Sequence, residues 1–370
     1  QYARAAVSKS GSLDMARLHT YKYNEDLFKK VTTLPGATNH GMVMVVDWSG
    51  SMYENLKGTL SQLYNLIWFC RRTQIPFEVF AFSDCRELFI KDGIWPNRYE
   101  MSMDNFKSGD LALHSFKLLE FFSSKMSAKE EIEMMEILWM VAKYYDRAAH
   151  DPVPFPGFLN LGGTPLNDAI IAMMEIVPKF KRDTGVQKVN TIFLTDGASN
   201  RLEGIYDYRL NTDTGEHTPY ISTVRGTMTI SDPKTLKNYE VAGYDITDGL
   251  LRILKDRVPD MNLIGFFIAG SGRSGRVDKR VLYNLQRDLS WDVIMEQVRF
   301  LNKNKFLAIA SKGYDEMYVL PAKGMKVENE GLSDDLVGAS KAKLKTAFGK
   351  AMSGKIESRQ LLNKFVKLVA

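Results

Sequence analysis

The sequence predicts an α/β fold, a doubly wound, mostly parallel central sheet flanked by helices. Three observations carry that prediction. Apolar runs rich in β-branched and aromatic residues recur at residues 42–46, 77–82, 189–195 and 262–269, as expected for strands covered on both faces. Segments with apolar residues at helical spacing lie between them, so strand and helix alternate along the chain. Asp47, Asp196 and Gly270 each stand just past one of these runs, at the carboxyl ends of strands where such sheets bind ligands.

The elements follow in order. Residues 1–40 read as an N-terminal arm, polar over 8–14, sparsely apolar over 13–28, with a turn at Pro35. The main domain is expected over residues 41–322. After its first strand, Leu56, Leu60, Leu63, Tyr64, Ile67 and Trp68 predict a helix over 53–73. A strand at 77–82 and a short one at 87–90 come next. Residues 92–157 read as a helical insertion, with helical periodicity over 111–123 and 130–145 and a group of methionines suited to a core or to an adaptable binding surface. Pro152, Pro154 and Pro156 hold the chain extended at its close.

Residues 161–165, LGGTP, form a loop whose Pro165 suits the first turn of a helix reaching about residue 180. The strand at 189–195 ends in Asp196-Gly197. Residues 200–242 read as a β-hairpin insertion, with strands at 218–223 and 227–231 around an Arg225-Gly226 turn. Helices are expected at 245–258, 278–287 and 291–302, and short strands at 306–310 and 317–320. Residues 323–370 form a basic tail. Leu344, Phe348, Met352, Ile356, Leu361 and Phe365 would make one apolar helix face, weakened by Gly349 and Gly354. Its basic residues lack interleaved aromatics, which favours packing or protein docking over contact with nucleic acid.

Composition narrows the function classes. The 370 residues are 45% hydrophobic and 25% charged, an ordinary globular balance. A net charge of +5 is too small to argue for nucleic acid. Only Cys70 and Cys85 occur, so no disulfide framework is expected. No apolar run reaches the length of a membrane span. The five histidines, His19, His40, His114, His150 and His217, show no zinc-ligand spacing. No Gly-Lys-Ser/Thr phosphate loop and no G-x-S-x-G elbow appears. Residues 270–275, GSGRSG, match G-x-G-x-x-G, but they fall too late in the fold for a dinucleotide fingerprint and read as a rim loop.

The first strand and its loop carry the most chemistry. Residues 42–52 read MVMVVDWSGSM, so Asp47, Ser49 and Ser51 place short oxygen side chains at alternate positions of one tight turn. Thr164 and Asp196 lie in two further loops expected at the same rim. Hydroxyls and two carboxylates suit a hard divalent cation such as Mg²⁺ or Mn²⁺. Asp47 and Asp196 together would match the charge of one such ion. Its remaining coordination position would accept a carboxylate from another protein. Taken singly, each motif is also met by a tight turn or a helix cap.

The D-x-S-x-S loop, the distal Thr and the distal Asp-Gly, in this chain order, resemble the metal-ion-dependent adhesion site of von Willebrand factor A domains. The resemblance covers roughly residues 42–320 and implies that fold. It also implies a metal set of Asp47, Ser49, Ser51, Thr164 and Asp196, with the hydroxyls touching the ion and the acidic groups often acting through water. The segment LDMARL at residues 13–18, followed after an arm by VVDWSGSM, resembles the T subunit of aerobic cobaltochelatase and its bacteriophage-encoded, cobalamin-biosynthesis relatives. That second resemblance implies a partnership with an AAA+ ATPase of the MoxR type and a protein client presenting an Asp or Glu carboxylate.

The expected function is therefore a metal-dependent protein-binding adaptor with no catalytic residues and no organic cofactor. It would be a non-catalytic subunit if the partner is an ATP-dependent metal chelatase. The expected compartment is the cytoplasm, or the host cytoplasm if the chain is phage-encoded. Two alternatives stay open: a virion or surface adhesion component using the same site, and a metal-assisted hydrolase.

Overall fold

The structure, a computed structural model, describes residues 6–13, 28–33, 39–84, 107–112, 116–145, 155–200, 204–212, 215–224, 226–242, 246–269, 277, 279–286 and 289–322. β1 (Ala6–Leu13) and β2 (Phe28–Thr33) pair antiparallel, with an irregularity between Lys9 and Leu13. They belong to a unit of residues 1–39, distinct from the unit of residues 40–370. The stretch expected as an arm thus contains a hairpin. Its strands are rich in Ser, Lys and Thr and lack the apolar alternation that announces a strand.

The second unit runs β3 (His40–Asp47), a 3₁₀ turn (Gly50–Glu54), α1 (Leu56–Thr73), β4 (Phe77–Ser83), β5 (Leu111–Ala112), β6 (Lys117–Ser123), α2 (Ala128–Tyr144), α3 (Leu166–Thr184) and β7 (Lys188–Thr195). It continues with β8 (Gly204–Leu210), β9 (His217–Ser222), β10 (Thr227–Asp232), β11 (Lys237–Ala242), α4 (Ile246–Arg257) and β12 (Met261–Ala269). The last elements are α5 (Lys279–Leu285), α6 (Trp291–Asn304), β13 (Leu307–Ile309) and β14 (Glu316–Pro321).

Seven strands form one sheet in the order β13-β14-β12-β7-β3-β4-β6. The five inner strands are parallel, and β13 and β6 are antiparallel edges. From β3 the chain winds through α1 to β4 on one side, then crosses back to β7 and β12 on the other. The strand order reverses between β3 and β7, so the crevice at their carboxyl ends is a switch point where open α/β sheets bind ligands.

Both faces of the sheet are covered, which explains the unbroken apolar runs. Met42, Met44 and Val46 pack with Leu56, Leu60, Leu63 and Ile67 of α1 and Leu138 of α2. Val43 and Val45 share the opposite core with Ile170, Met173 and Val177 of α3 and Leu250 and Leu254 of α4. Phe267 and Val319 meet Leu282, Ile294 and Leu301 of α5 and α6. α3 continues through Pro178 and stops at Gly185, whose φ of 67° suits a left-handed cap. α2 begins at a capping box, in which the Ser127 side chain accepts from the Glu130 amide and Glu130 accepts from the Ser127 amide.

Two expectations are corrected. The insertion at 92–157 is not mostly helical in its described part. The predicted helix over 111–123 is replaced by β5 and the edge strand β6, and only α2 is a helix. Val79 faces Phe122 and Phe80 faces Glu120, so Phe121 is an extra residue in the ladder. This bulge puts both Phe121 and Phe122 into the same core, which breaks the period of two and mimics helical spacing.

The insertion at 200–242 is two antiparallel pairs. β9 pairs with β8, and β10 pairs with β11, so no hairpin joins β9 to β10. The real turn between β10 and β11 follows Asp232, whose carboxylate accepts from the Lys234 and Thr235 amides and the Thr235 hydroxyl. Arg257 of α4 forks onto the same carboxylate and holds its pKa well below the usual range.

The strand expected at 87–90, Cys85, Pro152 and Pro154, Arg225, the loop at 270–275 and the tail at 323–370 lie outside the described residues. Among the described residues no helix is long and apolar enough to cross a membrane.

Trp48, the residue that carries β3 into its loop, has no exposed surface. Its Nε1 donates to the Leu159 carbonyl at 2.8 Å, and its ring meets that of Phe121 edge-on with centroids 4.9 Å apart. Trp48→Ala is expected to cost about 3–5 kcal/mol by emptying this site. Trp48→Phe should cost less, about 1–3 kcal/mol, by orphaning the carbonyl. Urea unfolding checks both, as a lowered midpoint at unchanged slope.

Candidate metal centre

Three loops meet at the switch point, and backbone bonds knit them before any side chain is considered. The Trp48 amide donates to Phe82 O at 2.9 Å, tying the end of β3 to β4. The Gly50 amide donates to Gly162 O at 2.7 Å and the Gly162 amide to Trp48 O at 3.3 Å. Ser49 and Gly162 thus form an isolated parallel bridge. The Asn200 amide donates to Thr164 O at 2.8 Å, and the Thr164 amide to Asn200 Oδ1 at 3.4 Å. The first loop, the LGGTP loop and the segment after Asp196 are one hydrogen-bonded structure.

Asp47 lies at the bottom with no exposed surface. Its Oδ1 accepts from the Ser49 amide at 3.0 Å, and its Oδ2 accepts from the Thr195 hydroxyl at 2.6 Å. Above it the Ser51 hydroxyl donates to Asp196 Oδ1 at 2.7 Å. The Ser49 and Ser51 hydroxyls lie 2.9 Å apart, and the Ser49 side chain also hydrogen-bonds Asp47. Ser49 is buried, Ser51 exposed and Asp196 half-buried. The Thr164 hydroxyl lies 3.8 Å from where a Cβ on Gly197 would stand, so it borders the same loop. Asp47, Ser49, Ser51 and Asp196 therefore form one bonded set, and Thr164 reaches it through Gly197 and the Gly162 bridge.

The electrostatics are those of two carboxylates sharing a crevice. Burial pushes the Asp47 carboxyl up to about 7, against the hydrogen bonds from Thr195 and Ser49 that favour its charge, and the negative Asp196 nearby adds to the rise. Asp196 is raised as well, by burial first, with bonds from Ser51 and Asn55 opposing. Among the described residues neither carboxylate has an ion-pair partner. No three His, Cys, Asp or Glu side chains gather among those residues at metal-binding distances. A cation here would rest on hydroxyl oxygens as much as on carboxylates. The donor set is all oxygen, carries two negative charges and fits a hard divalent ion.

Several participants were not foreseen from the sequence. Thr195 holds Asp47, Asn55 holds Asp196, and Asn200 holds Thr164. Thr195 precedes Asp196 directly but reads as one more β-branched strand residue. Asn55 and Asn200 carry no spacing signal, because their roles depend on loops meeting across the sheet.

No protein-family model matches the chain, and no curated protein matches its sequence. Among solved structures, the pilus adhesin SpaC from Lactobacillus rhamnosus GG in its open conformation is similar over 74% of this chain and 33% of its own. Its identity is 15% and its TM-score 0.37. A second structure of that adhesin gives 14% identity and a TM-score of 0.36, over 74% of this chain and 34% of its own. Proximal thread matrix protein 1 from the mussel byssus gives 13% identity and a TM-score of 0.31, over 74% of this chain and 50% of its own. The chain spans a third to a half of the length of these structures.

The raised carboxyls fix a pH dependence. A group whose pKa is higher folded than unfolded stabilises the fold below its unfolded value, and that contribution is lost as pH rises through the folded value. In a chelating buffer, stability should therefore fall between about pH 4 and pH 7, by a few kcal/mol from Asp47. Asp47→Asn should flatten the fall. Excess Mg²⁺ should offset it in the parent and not in Asp47→Asn. Melting temperatures across pH, with and without Mg²⁺, check all three.

Proposed function

We propose that the chain is a protein-binding adaptor built on a von Willebrand factor A-type domain. Its metal-ion-dependent adhesion site would hold Mg²⁺ or Mn²⁺ with Ser49, Ser51, Thr164, Asp196 and, beneath them, Asp47. The observation that carries this reading is the chain of oxygens from Ser49 through Ser51 to Asp196, joined across 145 residues of sequence at the sheet's switch point. When bound, the ion supplies an electrophile for an acidic side chain of another protein. The protein's own residues do the rest. Ser51 and Asp196 present oxygen at the surface. Asp47 fixes the Ser49 amide and the Thr195 hydroxyl from below, so the loops are set before a partner arrives.

The partners proposed from the chelatase resemblance are a MoxR-type AAA+ ATPase and a client with an exposed Asp or Glu. The ATPase would supply hydrolysis, and this chain would supply the docking site.

The depth of Asp47 decides how to test this. Asp47→Ala would orphan the Ser49 amide and the Thr195 hydroxyl, so loss of binding would be confounded with loss of structure. Ser51→Ala and Asp196→Asn alter the exposed Ser51 and the half-buried Asp196 instead. Each is expected to weaken Mg²⁺ binding at least about tenfold by calorimetry and to abolish capture of ATPase and client, as a chelator does. Parent-like Mg²⁺ affinity and partner capture in both variants would overturn the proposal.

A further inference from the structure

Beside the proposed cation site stands a carboxylate that none of the motifs includes. Asp84 follows β4 directly and is half-buried. A Cβ on Gly162 would stand 2.4 Å from its Oδ1, and a Cβ on Gly163 would stand 2.8 Å from its Oδ2. Real Cβ atoms do not approach other atoms so closely, so the glycine pair ahead of Thr164 is what admits the Asp84 side chain. The Gly163 Cβ position is also 3.1 Å from Asn200 Nδ2, and Asn200 grips Thr164 from both sides. Asp84 therefore packs against the two residues that lead into a candidate ligand.

Two features say that this carboxylate is more than filler. Among the described residues, no hydrogen bond or ion pair engages it, although a carboxylate is an acceptor that ordinarily finds donors when partly buried. Next to it, the Ser83 hydroxyl is fully buried without a hydrogen-bond partner among the described residues, and it too points at the glycine loop, 2.7 Å from the Gly162 Cβ position. An apolar side chain would fill the same space without leaving acceptor oxygens unmatched. A small, hard cation keeps several waters, and those waters are donors.

We propose that Asp84 is a positioning residue for the cation site. Its charge, seated against Gly162 and Gly163 with Ser83 beneath, adds a third carboxylate to the field of Asp47 and Asp196 and accepts from the ion's water shell. The inference rests on the metal-site reading above and extends it to a residue outside the D-x-S-x-S, Thr and Asp-Gly motifs. Its consequence is that affinity for the divalent ion depends on the end of β4 as well as on those of β3 and β7.

Charge and shape are separable by substitution. Asp84→Asn keeps the outline and removes the charge, whereas Gly162→Ala keeps the charge and displaces the side chain. Mg²⁺ binding by calorimetry and Mn²⁺ binding by electron paramagnetic resonance are measured on the full chain, with melting in chelator as the control. Asp84→Asn is expected to bind both ions about tenfold more weakly while melting in chelator at or above the parent temperature. Gly162→Ala is expected to weaken binding too. If Asp84→Asn binds like the parent while Gly162→Ala does not, Asp84 serves packing alone and the inference fails, with the metal site intact. A parent chain that binds neither ion would instead remove the metal-site reading itself.

Discussion

The burial of Asp47 is the constraint on which the rest of the site depends. A carboxylate with no solvent contact must be met by donors or lose its charge. Here it is met by Ser49 of its own loop, through both amide and side chain, and by the Thr195 hydroxyl from the neighbouring strand. The Thr195 bond joins the carboxyl ends of β3 and β7 where the sheet reverses its winding. These bonds leave the carboxyl shifted to about 7, because hydrogen bonds only partly offset the lost hydration. In the proposed reading, a cation would complete the charge balance of this site.

The loops above Asp47 are rigidified by backbone contact more than by side chains. Ser49 and Gly162 bridge as if they were strand residues, and Asn200 holds Thr164 by amide and carbonyl together. Such a frame fixes the hydroxyl groups in advance, so a ligand that used them would meet a smaller ordering cost. Trp48 anchors the frame to the core by its indole bond to Leu159, so the chemistry at the rim and the packing beneath share one residue.

The main strands and helices were legible because their periods are strong and uninterrupted. β3, β4, β7 and β12 read as buried strands since both faces of each are packed, and α1, α3 and α4 read as helices since each lays one apolar face on the sheet. The failures have physical causes. A bulge at Phe121 put two consecutive aromatics on one side and disguised an edge strand as a helix. In the β excursion, β8 and β11 were missed because each buries only two residues, Gly204 and Tyr206 or Tyr239 and Val241, too short an alternation to announce a strand, and the turn after Asp232 depends on a side chain gripping its own backbone. The polar hairpin β1–β2 gave no apolar pattern to read.

By itself the sequence determined the mixed α/β class with its mostly parallel sheet, and which oxygen-bearing side chains stand at the strand ends. Oxygen-bearing side chains just past parallel buried strands gather at one rim of the sheet, which is why the sequence places Asp47, Ser49, Ser51 and Asp196 together, and the structure brings those four into one hydrogen-bonded set. Only the tertiary structure decided their division of labour. Burial is a property of the packed sheet, so that structure alone shows Asp47 sealed beneath Thr195 while Ser51 is exposed and Asp196 half-buried. The neighbours Asn55, Asn200 and Asp84 likewise follow from contacts between loops far apart in the chain, which no local spacing encodes.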